Sequence, residues 1–285
     1  NGEPENPHAP QHLTRRESFD ADTTSRLTET ARRLKVTVNT VVQGAWALAL
    51  QRMTHHRAVS FGATVAGRPD ALPDAGTVLG LFINTLPVIT APLPQRSAST
   101  WLQELQRENA AAAEHAHTPL YEIQQWAGQG GGALFDTLVV FENYPVDEAW
   151  QGRDERALKL RELRNIEATD FALTLVIEAG ATLTIDYGYD AAQLDAARVA
   201  TLHRAFANCL SALIADPHAL LGTISIATAD DLATQASANA TTRSWPQARQ
   251  QPLHRQFAQT AVAHPDAIAL EFTDPQGRVQ QMTYG

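Results

Sequence analysis

Apolar and polar residues repeat with two different periods along the chain, and each change of period marks an element. Val38, Val41, Val42, Ala45, Trp46, Ala49, Leu50 and Met53 recur at the i, i+3, i+4, i+7 spacing of an α-helix, and Ala47 and Leu48 widen the stripe. So broad an apolar surface predicts a helix over about 38–53 that is buried on most sides. Thr37 or Asn39 can cap its start, and Asp22 or Thr23 can cap a helix over about 24–34. Residues 1–12, rich in Pro, Asn, Glu and His, show no period and read as an exposed lead-in, with order expected from near Phe19.

The period then shortens. VSFGATV (59–65) and FINTLPVIT (82–90) are β-rich runs, and GRPDALPDAG between them predicts a loop. Thr100 with Gln103 offers a capping box for a helix reaching about His117, and Thr118-Pro119 opens a short one that stops at Gly128. ALFDTLVVFEN predicts another strand after a glycine-rich loop. Phe171, Leu173, Leu175 and Ile177 alternate with Ala172, Thr174 and Val176. After EAGAT, Leu183, Ile185, Tyr187 and Tyr189 alternate with Thr184, Asp186 and Gly188, which together predict a hairpin. A helix over about 192–215 ends at Asp216-Pro217.

From about 228 to 250 the apolar period is lost and Ala, Thr, Ser and Gln accumulate, the pattern of a linker. LHRQFAQTAVAHP then reads as a helix, AIALEF as a strand, DPQG as a turn and RVQQMTY as a partner strand, too few elements to bury a core by themselves. The reading divides the chain into a lead-in (1–12), an α/β body (13–226), a linker (227–250) and the start of a second α/β domain (251–285).

Composition narrows the function classes. The 285 residues carry 22 Lys+Arg against 31 Asp+Glu, a formal charge of −9 that gives no general attraction for nucleic acid or an anionic membrane. No apolar run approaches the roughly 20 residues that cross a bilayer, and the first residues lack the basic-then-apolar pattern of a secretory signal, so a cytoplasmic location is expected. The single cysteine, Cys209, shares an apolar helical stripe with Leu202, Phe206, Leu210 and Leu213 and reads as a core thiol.

Candidate chemistry is sparse. His55-His56 and His115/His117 are spaced so that neither pair shares a helical face, which disfavours convergence on one metal. The glycines of GQGGGALF follow a helix and precede a strand, the reverse of a dinucleotide fingerprint. No GxSxG, HExxH, CxxC or P-loop pattern occurs. Residues 30–69 do hold Arg32, Arg33, Lys35, Arg52, Arg57 and Arg68 with no Asp or Glu, a local cationic excess that could face a phosphate or an acidic partner; Arg57 and Arg68 are the candidate contacts.

Residues 78–89, VLGLFINTLPVI, resemble the Gly-x-Phe-Val-Asn-Thr motif in the second half of nonribosomal peptide synthetase condensation domains. TVNTVVQGAWALAL and VSFGATVAGRP before it, and HTPLYEIQQWAGQGGGALFDTLVVFENYP after it, resemble that family in the same order, over about residues 13–226. LHRQFAQTAVAHPDAIALEF and MTYG resemble the opening of an adenylation domain. The resemblance implies a chloramphenicol-acetyltransferase-like architecture of two α/β lobes meeting at a tunnel, of which this chain is the C-terminal lobe, a mixed sheet packed with helices. The family's His-His-x-x-x-Asp-Gly motif belongs to the other lobe. His55-His56 does not reproduce it, being followed by Arg57, Ala58, Val59, Ser60 and Phe61, and Ile89 stands where the family often has Arg.

By the same resemblance, the parent reaction is attack of an aminoacyl thioester's amine on an upstream acyl or peptidyl thioester, both carried on phosphopantetheine arms of donor and acceptor carrier proteins. Alignment is much of that task, and intramolecular precedents give it about 7–11 kcal/mol. The motif match places Gly80, Phe82, Asn84 and Thr85 beside the channel, with Gly80 allowing close backbone approach, Phe82 an apolar wall and Asn84 an amide able to bond pantetheine. No catalytic residue, metal or resident cofactor is expected in this lobe. The hairpin near 170–189 is a candidate latch onto the other lobe, the implied partner along with the carrier proteins and the adjoining adenylation domain. A non-catalytic docking platform for carrier protein or adenylation domain, and an epimerization domain of the same fold, are the alternatives; a free-standing acyltransferase using coenzyme A would need its own histidine motif. An apolar partner face would be exposed in this lobe alone, so self-association, or covering by the N-terminal segment, is expected, and a monodisperse monomer by light scattering at high concentration would refute it.

Overall fold

The computed structural model describes residues 12–66, 78–128, 133–142, 169–244 and 252–285, which fall into two compact units divided at Thr228/Ala229. In the first, six strands form one mixed sheet in the order β1-β6-β5-β4-β2-β3. These are β1 (His12–Ser18), β2 (Val59–Ala66), β3 (Ile83–Thr90), β4 (Thr137–Glu142), β5 (Leu173–Ala179) and β6 (Leu183–Asp190). β4 runs parallel to both β2 and β5, and the other pairs are antiparallel. The helices are α1 (Ala21–Leu34), α2 (Val38–Thr54), α3 (Ala98–Ala113), α4 (Leu120–Trp126) and α5 (Ala196–Ala215).

Strand alternation assigns the two faces. Phe61, Val88, Val139, Leu175, Ile177, Ile185 and Tyr187 point to the helices and join one core with Leu27 of α1, Trp46 and Leu48 of α2, Leu102 of α3 and Phe206 of α5. α2 lies at the centre of that layer, with eleven buried residues spread around its circumference as its broad stripe predicts. The register places Thr14, Arg16, Asp186, Val176, Val140, Thr64 and Thr85 on the opposite face. There Phe135 lies over Gly62 and stacks on Phe171, with ring centroids 5.4 Å apart.

Several boundaries differ from the sequence reading. β1 forms ahead of Phe19: HLTRRES has no apolar alternation, and its pairing with β6 is supported by a bidentate Arg16–Asp186 ion pair. Asp20, ahead of Asp22 and Thr23, caps α1 by accepting from the Thr23 amide at 2.7 Å. Ser97 begins α3, the Thr100–Gln103 pair forms no capping box, and the helix ends at Ala113 instead of near His117. Gln103 reaches the Leu34 carbonyl instead. Thr37 caps α2 and Asp195 caps α5, which starts at Ala196.

The second unit holds α6 (Ala229–Ala238), α7 (Leu253–Ala263) and a hairpin of β7 (Ile268–Thr273) and β8 (Val279–Thr283). α6 is a helix inside the stretch read as linker; none of its residues is buried, so no apolar period announced it. Asp274 orders the hairpin turn, accepting from the Gln276 and Arg278 amides at 2.9 Å each. Phe257 and Tyr284 meet at 5.1 Å between centroids, yet no described residue of this unit is buried. Among the described residues no helix is long and apolar enough to cross a membrane.

Candidate functional site

β3 is an edge strand, and its register with β2 puts Ile83, Thr85, Pro87 and Ile89 on the open face and Asn84, Leu86, Val88 and Thr90 on the helix face. Asn84 therefore points toward the connection between α3 and α4. Its Nδ2 donates to the carbonyls of Ala116 at 2.8 Å and Thr118 at 2.7 Å, and its Oδ1 accepts from the Thr85 amide at 2.9 Å. A side-chain amide has two N–H donors and two acceptor lone pairs, so one lone pair remains for anything else. In this structure both Nδ2 hydrogens of Asn84 are thus engaged within the chain, and the side chain ties the connection ahead of α4 to β3.

The segment entering β3 is apolar and turned outward. Leu79 is 99% exposed and Leu81 87%, with Val78 and Ile83 also exposed. α4 lies against β3 and adds Tyr121 and Trp126, the latter 73% exposed. Isolated apolar side chains are ordinary on a surface, and here four exposed ones follow one another within six residues, Val78, Leu79, Leu81 and Ile83. Phe82 is half-buried within the segment. At Gly80 a Cβ would meet only the Phe82 ring, at an ordinary 3.6 Å, so the chain's own packing does not demand glycine there.

The cationic residues do not converge on one point. Arg52 donates to the Leu221 carbonyl at 2.7 Å. Arg32 and Arg33 lie in the last turn of α1, where they complement its C-terminal dipole. Lys35 caps α1 in the left-handed region (φ 57°), beside a cleft of about 300 Å3 that also includes Arg107. Arg57 is exposed just before β2; its carbonyl accepts from Gln51 at 3.0 Å, which holds the backbone while leaving the guanidinium at the surface. Arg68 lies outside the described residues, as does most of the glycine-rich loop.

Both histidine pairs lie at helix ends. His55 is the left-handed cap of α2, and His115 and His117 are exposed in the turn after α3, with ring centroids 6.5 Å apart. No group of three His, Cys, Asp or Glu fit to hold a metal occurs among the described residues. Cys209 is fully buried in α5, and burial pushes its thiol up to about 12, so it is unreactive near neutral pH. One ionisable cluster went unread in the sequence: Tyr187 of β6 is hydrogen-bonded to His203 of α5, which stands 3.8 Å from Glu17 of β1, itself bonded to Arg15. These residues come from three elements: the β1–β6 register sets Arg15 opposite Tyr187, but no period within one segment brings them to His203.

Comparison with known proteins gives this arrangement a context. Residues 5–234 match the family model described as Condensation domain. Two of the proteins that make up the linear gramicidin synthase of Brevibacillus parabrevis are similar to this chain, one 34% identical over 267 residues and the other 37% identical over 249. The matches cover 93% and 87% of this chain but only 5% of either relative. Among solved structures, the first condensation domain of the calcium-dependent antibiotic synthetase superposes with a TM-score of 0.60 at 19% identity, covering 77% of this chain and 47% of that one. A four-domain nonribosomal peptide synthetase superposes with a TM-score of 0.71 at 14% identity, covering 96% of this chain and 21% of that one.

Proposed function

Because the chain belongs to the condensation-domain family, we propose that it is the C-terminal lobe of a condensation domain in a nonribosomal peptide synthetase, joined to the first residues of an adenylation domain. The reaction served is amide formation between an acyl or peptidyl thioester and an aminoacyl thioester, each delivered on the phosphopantetheine arm of a carrier protein. The observation that carries this reading is the exposure of the apolar residues Val78, Leu79, Leu81 and Ile83 that lead into β3. A solved condensation domain contains about twice the matched length, and its remaining half is the natural cover for these residues.

On this reading the lobe forms one wall of the channel. Gly80, Phe82 and Thr85 contribute through the segment entering β3, and Asn84 acts indirectly, by holding the start of α4. The chain has no His-His-x-x-x-Asp-Gly motif, so the group that positions or deprotonates the attacking amine comes from the other lobe, and this lobe is inactive by itself. The docking-platform alternative draws on the exposed Arg32, Arg33, Lys35 and Arg57, none ion-paired among the described residues.

Intact-mass detection of dipeptidyl carrier protein separates the two. Loaded donor and acceptor carriers are mixed with this chain, with and without a separately expressed first lobe. Product only with both lobes is expected. Product from this chain alone would overturn the assignment of the chemistry to the other half, and no product with both would favour the platform. In the two-lobe assay Asn84→Ala is expected to lower the rate by up to about a hundredfold at saturating acceptor, the scale set by a displacement of about 1 Å in an aligned site.

A further inference from the structure

The partly buried row through His203 is rooted in the core at Tyr187 and reaches the surface at Arg15. The Tyr187 hydroxyl lies 3.0 Å from His203 Nδ1, and His203 Nε2 lies 3.8 Å from Glu17 Oε2. Arg15 Nε donates to the other oxygen of Glu17 at 2.7 Å. With Nδ1 accepting from the Tyr187 hydroxyl, the hydrogen of the neutral ring sits on Nε2 and faces the Glu17 carboxylate across a gap longer than a hydrogen bond. Tyr187 is fully buried, and burial holds its hydroxyl protonated. The Phe19 ring, 5.9 Å from the imidazole, closes another side.

We propose that His203 is the proton-operated hub of a latch holding edge strand β1 to the sheet and to α5: neutral, it accepts from Tyr187 beside Glu17, and protonated, it can no longer accept that bond and loosens β1. The protonated ring would present Nδ1–H to Tyr187. The Tyr187 oxygen would then have to accept, and its own hydrogen would lose the partner it has on the buried side of the contact. The gain on the Glu17 side is limited, because Arg15 already shares that carboxylate. The charged groups acting on the imidazole are Glu17, which favours the cation, and Arg15, which opposes it. Burial is the largest influence and holds His203 below the ordinary histidine range.

The unfolded chain therefore binds more protons at this site than the folded one, so stability rises with pH through the window between the folded and ordinary values and is lost on acidification through it. The device rests on the fold alone and holds whether or not the chain serves peptide synthesis.

Hydrogen exchange of the full 285-residue chain at pH 7.5 and 5.5, corrected for intrinsic rates, tests it. β1 is expected to lose protection at the lower pH while central β5 keeps it, and His203→Gln is expected to remove that dependence. An undiminished pH dependence in His203→Gln would overturn the proposal and assign the effect to another group. If His203→Gln does not fold, the imidazole signals of the wild-type chain that shift in Tyr187→Phe decide. A titration midpoint below that of the unfolded chain with hydrogen on Nε2 supports the latch, and a higher midpoint or the opposite tautomer refutes it.

Discussion

Trp46→Ala is expected to remove about 3–5 kcal/mol of stability, the cost of truncating a fully buried aromatic side chain whose cavity cannot collapse. Trp46 sits in the middle of α2 with no exposed surface, and its ring centroid is 6.4 Å from that of Phe206 on α5. Its indole N–H donates to Thr137 Oγ1 at 3.2 Å, so the same side chain ties the helix layer to the first residue of β4. Truncation opens the α2–α5 contact and leaves the Thr137 hydroxyl without this partner. Against a typical domain stability of about 5–15 kcal/mol, that is a large fraction of the whole. Trp46→Phe keeps most of the packing and loses the hydrogen bond, so it should cost distinctly less. Urea midpoints followed by far-ultraviolet circular dichroism give the comparison. A Trp46→Ala midpoint equal to that of the unmodified chain would mean that α2 is not the centre of the core.

The parts of the fold legible in the sequence are those whose own side chains are buried in a repeating pattern. α2 declared itself through a stripe too wide for a surface helix, and β5 and β6 through strict alternation from Leu173 to Tyr189. β1 was not legible because its helix-face positions are Leu13, Arg15 and Glu17, two of them charged and held by partners. The start of α3 offers Ser97, Ser99 and Thr100 as competing caps. The choice is made at a distance: the Ala98 amide donates to Ala219 and the Ser99 amide to Pro217. Asn84 is the same lesson at the site. The motif put it in a strand, but the carbonyls that occupy its amide belong to residues 32 and 34 positions away. A hydrogen bond between distant segments leaves no period in either.

Gly62→Val should be the next most damaging single change, and the reason lies in space rather than in backbone freedom. A Cβ at this position would stand 2.4 Å from Phe135 Cε2, 2.8 Å from Phe135 Cζ and 2.9 Å from Thr85 Cγ2. Phe135 is almost fully buried and stacked on Phe171, so its ring has little room to retreat. Valine suits a strand, yet that preference spans only about 1 kcal/mol, while overpacking costs typically about 1–3 kcal/mol and occasionally more. β2 is also the strand that joins β3 to β4, with Gly62 paired to Pro87 on one side and Leu138 on the other, so a displaced backbone is felt in both neighbours. Because Thr85 adjoins Asn84, the same displacement reaches the tie ahead of α4. A double-mutant cycle isolates the cause: in a Phe135→Ala background the ring is gone, and Gly62→Val should cost less by about 0.5–3 kcal/mol, the range of coupling between residues in contact. Additive losses in that cycle would mean that the ring yields freely and that glycine is kept at position 62 for another reason.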